Sequence, residues 1–214
     1  MESRLTIIGL TGGIATGKST CCRIISNLYP DTVVFDADAS VRALYSVPEV
    51  MEQLERHFGP LPKNADGEID KTFLRWAAFS HPGDKKFLED VFHPRVRKEC
   101  LALLEETARN ALSRLFVADI PLLFESGFDF GQSANLLVAT SRETQIDRLK
   151  KRNAWDDDTV EAVLASQMPI EAKLTLADVV FWNEGPEEIL NCQCRRFLQS
   201  IHCVSSKNPT RSED

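Results

Sequence analysis

Residues 9–20 read GLTGGIATGKST, and they follow LTII at residues 5–8, a short apolar run with the β-branched content of a buried strand. The spacing Gly12-x4-Gly17-Lys18-Ser19 is that of a phosphate-binding loop in full. Its glycines let the backbone turn so that successive N–H groups converge on phosphates, and the helix that follows presents its positive end. Lys18 is then placed to reach the β and γ oxygens, and Ser19 to ligate Mg²⁺. The short pattern also arises by chance, so a strand before it and a helix after it are the context that confirms it. Whether a nucleotide is bound, hydrolysed or used as a phosphoryl donor has to come from residues outside this stretch.

Working outward, five apolar segments read as strands: Leu5–Gly9, Thr32–Asp36, Leu115–Asp119, Asn135–Thr140 and Asp178–Phe181. Most are followed by a helical pattern. They predict an α/β fold, a five-stranded parallel sheet flanked by helices. The run from Lys85 to Arg114 is helix-like, but Pro94 is costly inside a helix, which predicts a break at Phe92-His93 and a new helix from Pro94. About residues 40–114 separate the second and third strands, far more than one crossover helix needs. They are expected to form a helical acceptor-binding insertion over the carboxyl edge of the sheet. About residues 141–168 predict helix, turn and helix, with Asp156, Asp157 and Asp158 supplying cap and dipole complement. The charged first helix of that pair, RETQIDRLKKR (142–152), has the character of a lid rather than of a core element.

The 214 residues suit one domain, about 1–204, and the polar, patternless SSKNPTRSED at 205–214 is expected to be disordered. With 43% hydrophobic and 27% charged residues the composition is that of an ordinary globular chain. A formal charge of −7 argues against a nucleic-acid coat or a membrane-surface protein, leaving small molecules as the expected partners of a monomer. No apolar run reaches the ~18–20 residues that span a bilayer. MESRL lacks the basic-then-apolar order of a secretory signal, so a cytoplasmic location is expected. The six cysteines read as free thiols, since Cys192-x-Cys194 has neither the spacing nor the companions of a zinc site.

Carboxylates gather where the strands are expected to end. The second strand runs VVFDADASVR, and if it stays extended Asp36 and Asp38 face the same way, one toward the waters of a metal and one toward an acceptor hydroxyl. The alternative for Asp36 is to cap the helix beginning near Ser40. The third strand, LFVADIPLLFE, ends at Asp119, where phosphate-loop proteins often keep a carboxylate near the magnesium shell, here expected to act through water. Beyond Pro121, Glu125 is either a cleft residue or a surface carboxylate. His93 either faces substrate or is structural at a helix start. In the lid segment, Arg148 and Arg152 are four apart and so share a helix face, where two guanidiniums can clamp the oxygens of a phosphoryl group in transfer.

Together these residues resemble one family, the dephospho-coenzyme A kinases, over about residues 5–190. The resemblance rests on GLTGGIATGKST, DAD followed by Arg42, FHPRVR, DIPLLFESG, QIDRLKKR, SQMP and ADVVFWNEG, in that order. It implies a phosphate-loop kinase that transfers the γ-phosphoryl of Mg²⁺·ATP to the ribose 3′-hydroxyl of dephospho-CoA, the last step of coenzyme A synthesis. It further implies that Gly13, Ile14, Ala15, Thr16, Gly17, Lys18, Ser19 and Thr20 hold the ATP phosphates, with Arg148 and Arg152 in the lid and Asn183 near adenine. Asp38 is then the base toward the hydroxyl, and Arg42, His93, Leu122 and Glu125 border the acceptor.

The chain departs from that pattern in places. Many relatives carry Gly-Ser where Ala15-Thr16 stands, and an arginine where this chain has Val163, which removes a cation from the lid. Trp182 is bulky beside Asn183. Rival readings fit less well: shikimate kinase also has a DxD pair but expects a second glycine-rich acceptor motif, and the only Gly-Gly pair here is Gly12-Gly13. A nucleoside monophosphate kinase agrees less with DAD and PLLFE. A GTPase switch expects Asn-Lys-x-Asp, whereas Asn183 is followed by Glu184.

Overall fold

The computed structural model describes residues 5–64, 69–70, 73–74, 76–77, 81–110, 114–153 and 155–201. Cys203 and the stretch 205–214 lie outside the described residues. By internal packing the chain divides into two compact units, Met1–Phe35 with Glu106–Asp214, and Asp36–Glu105.

The larger unit is built on the sheet. Its strands are β1 (Thr6–Gly12), β2 (Thr32–Asp36), β3 (Leu115–Asp119), β4 (Ala134–Ala139) and β5 (Val179–Trp182), in the order β2-β3-β1-β4-β5. The pairs β1–β3, β1–β4 and β4–β5 all run parallel. The first strand continues to Gly12, three residues beyond the predicted end, because it is paired on both sides. Leu10 lies opposite Asp119 in β3, while Thr11 and Gly12 lie opposite Leu137 and Val138 in β4. Central strands covered on both faces read as unbroken apolar runs, and all five residues of β3 are buried.

One face of the sheet is covered by α1 (Lys18–Leu28) and α9 (Glu187–Ser200). Ile24 and Ile25 of α1 and Leu190 and Leu198 of α9 pack on Ile8, Leu136 and Phe181. Cys21 and Cys194 meet in this core with their Sγ atoms 3.8 Å apart, and the five described cysteines are free. A second, smaller core joins α6 (Arg142–Asn153) to α7 (Asp157–Ala165) through Leu149, Val160 and Leu164, with Ile14 and Ala15 packed against it. At the sheet edge, the side-chain amide of Gln193 donates to the Trp182 carbonyl and accepts from the Trp182 N–H, each at 3.1 Å.

The smaller unit is helical. It holds α2 (Ala37–Leu44), α3 (Pro48–Phe58) and most of α4 (Pro82–Arg109). Pro48 opens α3 at its first position, where the missing N–H costs nothing, and Val50 and Leu54 are fully buried. The His57 ring stacks on Phe87 with centroids 3.8 Å apart, and its Nε2 lies 2.8 Å from the Asp84 carboxylate. Among the described residues no helix is long and apolar enough to cross a membrane.

The break predicted before Pro94 does not occur: α4 runs through it without interruption. A proline removes one N–H from the ladder and crowds the carbonyls of the preceding turn. Here the Arg95 guanidinium donates to the Val91 carbonyl at 2.6 Å, one residue beyond the Asp90 carbonyl that loses its backbone donor to Pro94. Packing supports the same stretch, with Val91, Phe92 and Val96 all buried. Alanine at position 94 restores the backbone hydrogen bond. Pro94→Ala is therefore expected to raise the thermal midpoint by about 2–4 °C, as roughly 1 kcal/mol does in a chain of this size. A lower midpoint in a thermal melt would contradict this account.

Candidate active site

A phosphate loop has to turn its N–H groups toward a ligand, so its carbonyls face outward and need donors of their own. Residues 13–17 meet that requirement completely. The Gly13 carbonyl accepts from the Thr16 hydroxyl at 2.9 Å and the Thr16 N–H at 3.3 Å. Gln145 Nε2 donates to the Ile14 carbonyl at 2.7 Å, and Arg148 Nη1 to the Ala15 carbonyl at 3.2 Å. The Thr16 carbonyl receives both Arg148 Nη1 and Asn183 Nδ2, the latter at 2.8 Å. Gly17's accepts Cys21 N at 3.0 Å and so begins α1.

Gly17 is the N-cap of α1 at φ 98°, a conformation that disfavours any side chain, and a Cβ built on it would collide with Asn183 Nδ2. Ala15 adopts φ 61°, at a cost of about 1 kcal/mol. Thr16 is buried, Thr20 half-buried and Ser19 exposed.

Lys18 forms an ion pair with Asp119 at the end of β3, both side chains largely covered. Ser19 and Asp119 offer hard oxygen donors of the kind Mg²⁺ takes singly, completing its shell from water and nucleotide phosphates. No group of three or more His, Cys, Asp or Glu suited to a metal occurs among the described residues.

The charged helix α6 is less a solvated lid than its composition implies. Gln145 and Leu149 are buried, and Arg148 is committed to carbonyls, adding that of Asn183 at 2.9 Å. Arg148 and Arg152 share a face by spacing, yet they serve different partners: Arg152 is exposed and donates to Asn153 Oδ1 at 3.2 Å. Val163 is buried. Asn183 is buried with its amide on the loop, while Trp182 is 43% exposed.

Two further residues of this network escaped the sequence reading. Gln167, in the turn after α7, accepts the Ile14 N–H at 2.9 Å. Glu184 accepts the Ser141 N–H and the hydroxyls of Thr140 and Thr144, so that it caps the start of α6. Those donors, the Ser141 N–H foremost, hold its carboxyl down to about 2. Glu125, left open between cleft and surface, pairs with Lys173 at 2.8 Å and accepts the Met168 N–H at 3.1 Å. It belongs to a short helix, α5 (Leu123–Ser126), of which half-buried Leu122 is the N-cap residue.

In the smaller unit, the alternation assumed for Asp36 and Asp38 fails because α2 starts at Ala37, not near Ser40. Two positions apart on a helix are turned by some 200° rather than aligned. Asp36 caps α2 through the Ala39 N–H at 2.8 Å and lies 3.6 Å from the Arg42 guanidinium. Asp38 stands exposed in the first turn of α2. His93 is half-buried inside α4, and burial pulls its imidazole below the usual value.

The sequence matches the family model described as dephospho-CoA kinase over residues 6–188. The chain belongs to the dephospho-CoA kinase family. The dephospho-CoA kinase of Geobacillus kaustophilus is 37% identical to this kinase over 195 residues, 91% of this chain and 94% of that one. That of Anaeromyxobacter dehalogenans is 36% identical over 200 residues, 92% of each. Among solved structures, a Thermus thermophilus protein superposes with a TM-score of 0.73 at 33% identity, covering 92% of this chain and 98% of its own. Dephospho-CoA kinase from Campylobacter jejuni gives 0.64 at 28% identity, with 91% and 96% covered.

Two outcomes follow for the kinase. Gly17→Ala strains the left-handed turn and collides with Asn183, and is expected to abolish measurable nucleotide binding in a calorimetric titration while the chain stays folded. Glu184 ionises more readily folded than unfolded, so it adds stability that is complete above its ordinary value of 4.5 and is lost as pH falls toward about 2. The difference in thermal midpoint between wild type and Glu184→Gln should be constant above roughly pH 5 and shrink on acidification. A difference that does not change between pH 6 and pH 3 would refute this role.

Proposed function

We propose that this kinase transfers the γ-phosphoryl group of ATP to the ribose 3′-hydroxyl of dephospho-CoA, giving coenzyme A and ADP. The observation that carries the reading is a phosphate loop with every carbonyl from Gly13 to Gly17 satisfied, in a chain that matches the dephospho-CoA kinase family from residue 6 to residue 188. Other loop-bearing kinases would share the first half of that statement and not the second.

In this mechanism the loop N–H groups and the positive end of α1 receive the phosphates, and Lys18 exchanges its hold on Asp119 for the β and γ oxygens. Ser19 and, through water, Asp119 would hold Mg²⁺, which would supply positive charge against the phosphates. Arg148 keeps the loop in its receiving shape, and Arg152 supplies a cation to the nucleotide side, with Asn183 beside the base. Asp38 takes the proton of the 3′-hydroxyl as its oxygen bonds to the γ phosphorus and the bond to the bridging oxygen of ADP breaks. Arg42, His93, Leu122 and Glu125 line the acceptor side. The helical stretch of about 40–114 is the acceptor-binding insertion, and about 141–168 the lid of a single kinase domain. The enzyme works as a cytoplasmic monomer on small molecules.

Two measurements test the reading. Release of ADP with Mg·ATP is expected to require dephospho-CoA, with one phosphate gained in the product by mass spectrometry and none with shikimate or AMP. ADP appearing equally without acceptor would defeat the assignment. Asp38→Asn should lower turnover by about a hundredfold or more while ATP affinity stays near wild type, since it removes a proton acceptor and no nucleotide contact. Unchanged turnover would remove Asp38 from the chemistry.

A further inference from the structure

Lys173 is a charged group that neither packing nor phosphate binding accounts for. It sits on α8 (Ile170–Leu176) with no exposed side-chain surface. The same helix leaves Leu174 and Leu176 36% and 49% exposed, so it buries its lysine in preference to its leucines. An ammonium withdrawn from water is costly unless paired and hydrogen-bonded. Glu125 Oε1 lies 2.8 Å away, but no well-aligned hydrogen bond meets the Nζ protons among the described residues. The ion pair to Glu125 is therefore the compensation this charge receives.

Glu125 in turn reaches the phosphate loop. The same Oε1 accepts the Met168 N–H at 3.1 Å, and the neighbouring Gln167 places its Oε1 2.9 Å from Ile14 N. Gln145 grips the other end of that residue, its carbonyl, at 2.7 Å. Ile14 is thus held at both its N–H and its carbonyl, and one of the two grips hangs on the turn that Glu125 holds.

We propose that Lys173 is a positioning residue for the phosphate loop: it fixes Glu125, Glu125 fixes the Gln167–Met168 turn, and Gln167 sets the orientation of Ile14. The inference rests on residues 9–20 being the nucleotide phosphate loop, and it is independent of which acceptor receives the phosphoryl group. A lysine that only contributed to folding would change stability without changing how the loop holds phosphates.

The test is a double-mutant cycle read as Mg·ADP affinity by calorimetry, with thermal melts alongside. Lys173→Met keeps the length and removes the charge, and Gln167→Leu removes the grip on Ile14. Each is expected to weaken Mg·ADP about tenfold, the scale of one lost hydrogen bond to a group that matters, and the double variant no more than the weaker single. Losses that multiply to about a hundredfold, or wild-type affinity in Lys173→Met, overturn the proposal. If Lys173→Met does not fold alone, Lys173→Met with Glu125→Gln removes both charges together. In that background Gln167→Leu should add less than about twofold, and a further tenfold loss overturns the proposal. Wild-type protein that binds no Mg·ADP would overturn both this inference and the nucleotide role of the loop, whereas ADP binding without dephospho-CoA phosphorylation would strike only the proposed function.

Discussion

The outward-facing carbonyls of residues 13–17 are the constraint around which the larger unit is organised. A loop whose N–H groups converge on a phosphate has its oxygens pointing into protein, and each oxygen left alone there would carry the cost of an unmade hydrogen bond. The chain answers with donors from distant segments. Gln145 and Arg148 come from the helix after β4, and Asn183 from just beyond β5. The loop's shape therefore depends on strand order: β1 lies beside β4 and β4 beside β5, which brings those segments to the end of the first strand. Binding a ligand to a loop already fixed in this way spares much of the entropy of ordering it.

The same logic explains why α6 has two characters. On the outside it is a row of charges, with Arg142 paired to Glu161 and Lys150 to Asp157. Exposed pairs of this kind contribute little. Its stability comes from the other side, where Leu149 is buried beside Val160 and Leu164. At its start Glu184 gathers three donors, and next to Glu184 the carbonyl of Asn183 takes Arg148. One short turn after β5 thereby anchors both the helix and the loop.

Much of this was legible in the sequence, because it rests on pattern. The loop spacing, the apolar strands and the aspartate after NAW all signal through local chemistry, and Asp156 does cap α7 through the Thr159 N–H. The readings that failed depended on neighbours. Pro94 looks like a stop until Val91, Phe92 and Val96 are seen buried around it. Asp36 and Asp38 look aligned only while the chain is taken as extended. Lys173 sends no signal, since a charged residue beside two leucines predicts the reverse of the burial that occurs. The dependence of Ile14 on Gln167 spans 153 positions, beyond the reach of any periodicity.

The glutamine at the sheet edge has a consequence of a different kind. A parallel sheet that ends in an open strand offers its backbone to any other extended chain, and β5 would do so with Val180 and Trp182 exposed beside it. By bonding both polar groups of Trp182, the Gln193 side chain acts as a single residue of a missing sixth strand. The edge is capped at Trp182 from within the molecule, which disfavours strand-to-strand pairing at that position without requiring a charge or a proline in the strand itself.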